Sequence, residues 1–164
     1  MRFAPAAAAL SLFLATTASV TSAQDPEVDP RAASLVMEGR ALLAAGDTQA
    51  AIDAFEAALA VDPGYTPIFI ELAEAARRDG LQGKAIGFYR EALMRDPDNF
   101  AAISGEGAAL VEKGALEKAK RNLARLESLC GSSCPETVSL QGVIAAGPPA
   151  RLAAETAEAG PASN

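Results

Sequence analysis

The sequence contains no histidine. That removes the usual neutral-pH general base and the commonest metal ligand. Aromatic residues make up only 5% of the chain. Nearly half of the hydrophobic residues are alanine, which favours helices that approach closely over a broad aromatic interior. There is no excess of basic charge. The formal net charge is −7 over 164 residues, and losing an N-terminal segment with Arg2 as its one charge makes it one unit more negative. Such a surface repels phosphate backbones and argues against nucleic acid as a partner. No Walker lysine motif, paired-histidine motif or Gly-x-Ser-x-Gly elbow occurs. Gly105-Glu106-Gly107 lacks a third glycine and follows no strand, so it reads as helix packing rather than a phosphate loop. Glu71 and Glu74 lie one helical turn apart and read as solvated surface charge. The inventory points away from an enzyme, and no cofactor is expected.

What the chain does have is a period. Gly46, Gly80 and Gly114 stand 34 positions apart, as do Ala51, Ala85 and Ala119, and Pro63 and Pro97. A fixed spacing of this length marks a solenoid whose units bury their faces only against one another. Each unit reads as two helices joined at a glycine turn. The first helices carry Leu35, Gly39 and Leu42, then Phe69, Leu72, Ala73 and Ala76, then Ile103, Gly107 and Leu110. The second helices carry Ala51, Phe55, Ala58 and Leu59, then Ala85, Tyr89, Ala92 and Leu93, then Ala119, Leu123 and Leu126. Asp29 and Asp47 are placed to cap helix starts.

The ends read differently. Residues 1–23 have the layout of a secretory signal: Arg2, an apolar run centred on Leu10, Leu12, Phe13 and Leu14, and small residues through Ala23. An uncleaved membrane anchor and a buried helix are the competing readings of that run. Residues 24–31 are a short polar leader. Cys130 and Cys134 follow the export signal, so a disulfide is the default expectation, ahead of a redox-active pair or a zinc site. A capping helix is expected within 132–146, started by Ser132 or Ser133 and covering the stack with Val138, Leu140, Val143 and Ile144. Residues 147–164, rich in Pro, Ala, Gly and Glu, are expected to be a disordered tail.

The pattern of small, aromatic, small and proline at Gly39, Ala51, Phe55, Ala58 and Pro63, and again at Ala73, Ala85, Tyr89, Ala92 and Pro97, resembles the tetratricopeptide repeat family. In the third unit Leu126 and Gly131 replace the second small residue and the proline. Glu38 and Glu106 stand where the family usually has leucine. The resemblance implies an all-α, right-handed superhelical solenoid of three repeats (32–65, 66–99 and 100–131) plus the capping helix. It also implies a non-catalytic adaptor or scaffold that holds another protein's peptide segment or helix on a concave face lined by the first helix of each pair. By register that face carries Val36, Arg40, Leu43, Ile70, Glu74, Arg77, Arg78, Ser104, Ala108, Val111 and Glu112. The Lys/Asn/Arg clamp with which some members grip acidic C-termini is not supplied, because Val36, Ser104 and Ala108 occupy its places. The expected setting is the bacterial periplasm or envelope, with no membrane span after cleavage. A self-assembling repeat protein and a thiol-redox accessory are the alternatives.

Overall fold

The computed structural model describes residues 28–150. The expected signal segment, residues 24–27 of the leader and the tail from 151 onward lie outside them. Seven helices follow in order: α1 Pro30–Ala45, α2 Thr48–Val61, α3 Pro67–Arg78, α4 Gln82–Arg95, α5 Phe100–Glu112, α6 Leu116–Cys130 and α7 Pro135–Ala146.

The helix boundaries have local causes. The Asp29 side chain accepts from the Arg31 N–H at 2.8 Å, Asp47 from Ala50 at 3.2 Å, and Asn99 from Ala102 at 2.9 Å. Prolines start α1, α3 and α7, where a missing N–H costs nothing. Gly46, Gly80 and Gly114 turn each pair with φ of 86°, 75° and 80°, a conformation that favours glycine. The residue before α7 is Cys134, which makes no side-chain cap bond. The expectation of a serine cap is therefore corrected: Pro135 begins the helix too soon after Ser132 and Ser133 for either to take that place.

Packing follows the period. Each helix packs on its sequence neighbour, and α1, α3, α5 and α7 also touch in succession. Among the described residues α2, α4 and α6 make no such contact with one another. The first helices thus lie closer together than the second, and the stack curves toward them. Close approach is set by missing side chains. A Cβ on Gly39 would meet the Phe55 ring at 2.5 Å, one on Gly107 would meet Leu140 at 2.6 Å, and one on Gly105 would overlap the Tyr89 ring. Phe55 and Tyr89 are fully buried as a result.

Two stitches tie successive units on the outer side. Arg95 lies 4.3 Å over the Phe69 ring and donates to the Pro63 carbonyl at 2.7 Å. Arg125 donates to the Pro97 carbonyl. Glu106 sits in the helix interior because Arg90 and Asn122 hold it, at 2.7 and 3.0 Å. Leu140, Ile103 and Leu126 form a small separate cluster under α7. Val138 is 54% exposed and takes no part in covering the stack; Thr137 is buried in its stead, which corrects the expected α7 stripe. On α1 the buried stripe is Ala32, Val36, Gly39 and Leu43, while Leu35 and Leu42 are half-buried. Their equivalents Phe69, Ala76, Ile103 and Leu110 are buried, each having an earlier unit to cover it.

Candidate functional site

The concave face is built by α1, α3, α5 and α7, and two hollows on it are lined by described residues. The first, about 270 Å3, lies between α1 and α3, with Arg40, Leu43, Glu71 and Arg78 around it. The second, about 350 Å3, lies between α3, α5 and α7. Its floor is made of small groups, Ser104, Gly105 and Ala108; Glu74 and Arg77 form one wall, and Glu136, Ser139 and Val143 of α7 the other. Glu74 borders both hollows.

The structure sorts the residues expected on this face. Arg40, Glu74, Arg77, Arg78 and Ser104 do border the hollows, and Leu43 and Ala108 form parts of their floors although both are buried. Ile70 is half-buried and packs on the core around Tyr89. Val36 and Val111 are corrected. They are 5% and 1% exposed and belong to the two main core clusters, because a first helix is buried both by its own partner helix and by the next unit. The second hollow also depends on residues that the repeat register does not assign to a face: Ala101, Gly105, Glu136, Ser139 and Val143. Three of these come from α7, which lies outside the three repeats and so outside the register argument.

The charges are largely spoken for within the chain. Arg40 of α1 reaches Glu71 of α3 at 2.5–2.8 Å, bridging one unit to the next. Arg77 of α3 reaches Glu112 of α5 at 2.5–3.2 Å and Glu74, one turn back, at 3.0 Å. Tyr89 donates its hydroxyl hydrogen to Glu74 from below. Burial opposes the charge on Arg77, but the hydrogen bond to Glu112 and the charge of Glu74 outweigh it and raise its pKa above the usual guanidinium value. Burial, followed by the Glu74 charge, raises the Tyr89 pKa, so the phenol stays protonated and donates. Arg78 donates to the Leu43 carbonyl at 3.2 Å. Ser104 is likewise engaged, donating to the Glu136 carbonyl at 3.1 Å across the α5–α7 contact. Glu136 has no cationic side chain within salt-bridge distance among the described residues.

Cys130 and Cys134 flank the turn into α7 with their Cα atoms 5.7 Å apart, a separation that a disulfide spans without moving the backbone. Among the described residues no group of acidic, cysteine or histidine side chains is placed to hold a metal ion. No described helix is long and apolar enough to cross a membrane.

Against known proteins, the tetratricopeptide repeat model matches residues 36–102. No curated protein matches the chain by sequence. Among solved structures, the first repeat domain of Spaghetti (RPAP3) bound to the HSP90 peptide SRMEEVD is similar at 24% identity. The match covers 74% of this chain and 98% of that one, with a TM-score of 0.64. The Sgt2 repeat domain from Aspergillus fumigatus is similar at 24% identity over 83% of this chain and 88% of that one, TM-score 0.64. The Yersinia enterocolitica type III secretion chaperone SycD, in complex with a peptide of the translocator YopD, is similar at 20% identity over 70% and 86%, TM-score 0.60. The described residues therefore have the fold of a tetratricopeptide-repeat solenoid, three helix pairs and a terminal helix, with the family's sequence signature across residues 36–102.

Proposed function

We propose that this chain is a non-catalytic protein-interaction module that holds an extended segment of another protein on its concave face. The observation that carries the reading is the second hollow. An open depression of about 350 Å3, with a floor of small groups, lies on the face toward which the stack curves. Side chains of a passing segment fit such a depression, and the backbones of Ser104, Gly105 and Ala108 come close to it. Two of the similar folds were solved with peptides from other proteins, which supports the same use. The chain acts after export, as a periplasmic or envelope adaptor, and the Cys130–Cys134 pair is oxidised there, fixing the start of α7 and with it one wall of the hollow. The export reading rests on the sequence of residues 1–23.

The test is selection from a random linear peptide library on the chain from Gln24 onward, repeated with Ala101→Arg. Ala101 is exposed and borders the second hollow, so the long side chain fills the groove without entering the core. Peptides that bind the parent and lose at least tenfold in affinity to Ala101→Arg are the expected result. Binders indifferent to Ala101→Arg would move the site off this face.

A further inference from the structure

We infer that the second hollow takes a basic side chain, so that the segment held on the concave face carries a lysine or arginine at that point. The inference rests on the groove reading above and gives the partner's chemistry.

A bare count of arginines suggests the opposite. Arg40, Arg77 and Arg78 all lie along the groove, and three cations in a row suggest an acidic partner. Two of them are already neutralised. Arg40 is held by Glu71. Arg77 is shared by Glu74 and Glu112, two carboxylates for one guanidinium, and its donors point at them. An incoming carboxylate would have to displace one of these partners and leave it unpaired beside the hollow, which makes the exchange unprofitable.

The uncompensated charge at the second hollow is negative. Beside Arg77 stand Glu74, Glu112 and, on the opposite wall, Glu136. Glu136 lies in the first turn of α7, where the helix N-terminus favours a carboxylate, and its side chain is half-buried. It has no cationic partner among the described residues. A helix terminus carries only about half an elementary charge and is screened within a turn, and the sulfur 3.1 Å from Glu136 Oε2 belongs to the Cys130–Cys134 disulfide and carries no proton, so neither cancels the Glu136 charge. A lysine or arginine between α5 and α7 meets Glu136 on one side and the Arg77-bound pair on the other. The small floor of Ser104, Gly105 and Ala108 gives its stem room. The first hollow is different: its spare cation is Arg78, which has no salt-bridge partner among the described residues. The groove is thus polarised along its length, and a bound segment has one preferred direction, its basic residue toward α7.

The test is the same peptide selection on the parent, on Glu136→Lys and on Glu136→Gln, with Ala101→Arg as the groove block. The parent is expected to enrich peptides with Lys or Arg, and replacing that residue by Ala is expected to weaken binding about threefold to fivefold, the effect of one partly screened ion pair. Glu136→Gln shrinks the difference between the Lys and Ala peptides, the Arg77-bound pair remaining on the other wall, and Glu136→Lys removes the preference for Lys or Arg. Thermal melts establish that the variants fold; if the Lys variant does not, the Gln variant still decides. Acidic peptides that bind the parent and are blocked by Ala101→Arg would overturn the charge inference and leave the groove reading standing. Peptides that Ala101→Arg does not block would overturn both.

Discussion

The two hollows of the concave face have the same helix-to-helix plan and different contents. Between α1 and α3, long side chains cross the gap: Arg40 spans to Glu71, and Arg78 folds back onto the Leu43 carbonyl. Between α3 and α5 the bridging arginine stands at a different repeat position and is partly sunk. Arg77 is tied to two carboxylates, one of them braced by Tyr89, and glycine and alanine leave the floor open. A helix from outside the three repeats then closes the far side. The lesson is that periodic backbones do not make equivalent sites. In the first hollow an ion pair is a surface stitch; in the second it is part of the wall.

The strongest way to break this contrast is to fill the space under the second hollow. Gly105→Ala places a methyl group against the Tyr89 ring, which is fully buried and has nowhere to move. A loss of about 2–3 kcal/mol is expected from a denaturant melt, with Glu74 losing its brace. Gly87→Ala is the control: nothing lies within 4 Å of a Cβ there, so the same change in mid-α4 is expected to stabilise by about 0.5–1 kcal/mol. Equal effects would mean that Gly105 is not a close-approach site.

Next comes the pair of arginines. Arg77→Met leaves two half-buried carboxylates facing each other and is expected to cost about 1–3 kcal/mol. Arg40→Met removes an exposed ion pair and is expected to cost less than about 1 kcal/mol. Matched losses in parallel melts would erase the difference between the hollows.

A finer probe is pH. The Tyr89 pKa is raised on folding, so the folded chain holds its proton where the unfolded chain, with an ordinary value near 10, releases it. Its contribution is complete below about pH 10 and is lost as pH rises beyond that, by up to about 1.4 kcal/mol per pH unit. Stability of the parent should fall more steeply above pH 10 than that of Tyr89→Phe, and parallel slopes would remove the buried-phenol account.

Much of the fold is legible in the sequence because the repeat states it three times. Gly46, Gly80 and Gly114 mark the turns, Asp29 and Asp47 the caps, and Gly39 and Gly107 the close approaches. The site is less legible. Burial of Val36 and Val111 follows from contacts between units, which a pattern within one unit does not contain. The pairing of Arg40 with Glu71 and of Arg77 with Glu112 joins residues 31 and 35 positions apart, and it cancels charges that look free in a linear reading. Gly105 reads as one more packing glycine, yet it holds Tyr89 in place and opens the hollow at once. Glu136 belongs to α7, where no repeat register says which way a residue faces.

The claim that the concave face between α3, α5 and α7 holds the partner is tested most directly by site-specific photo-crosslinking in the cells that make the protein. A benzophenone side chain is placed at Ala101 or Ser139, at the hollow, and at Glu56 or Lys120 on the outer helices α2 and α6. The account predicts an adduct to a second protein from Ala101 and Ser139 and none from Glu56 or Lys120. Adducts from the outer positions alone would contradict it.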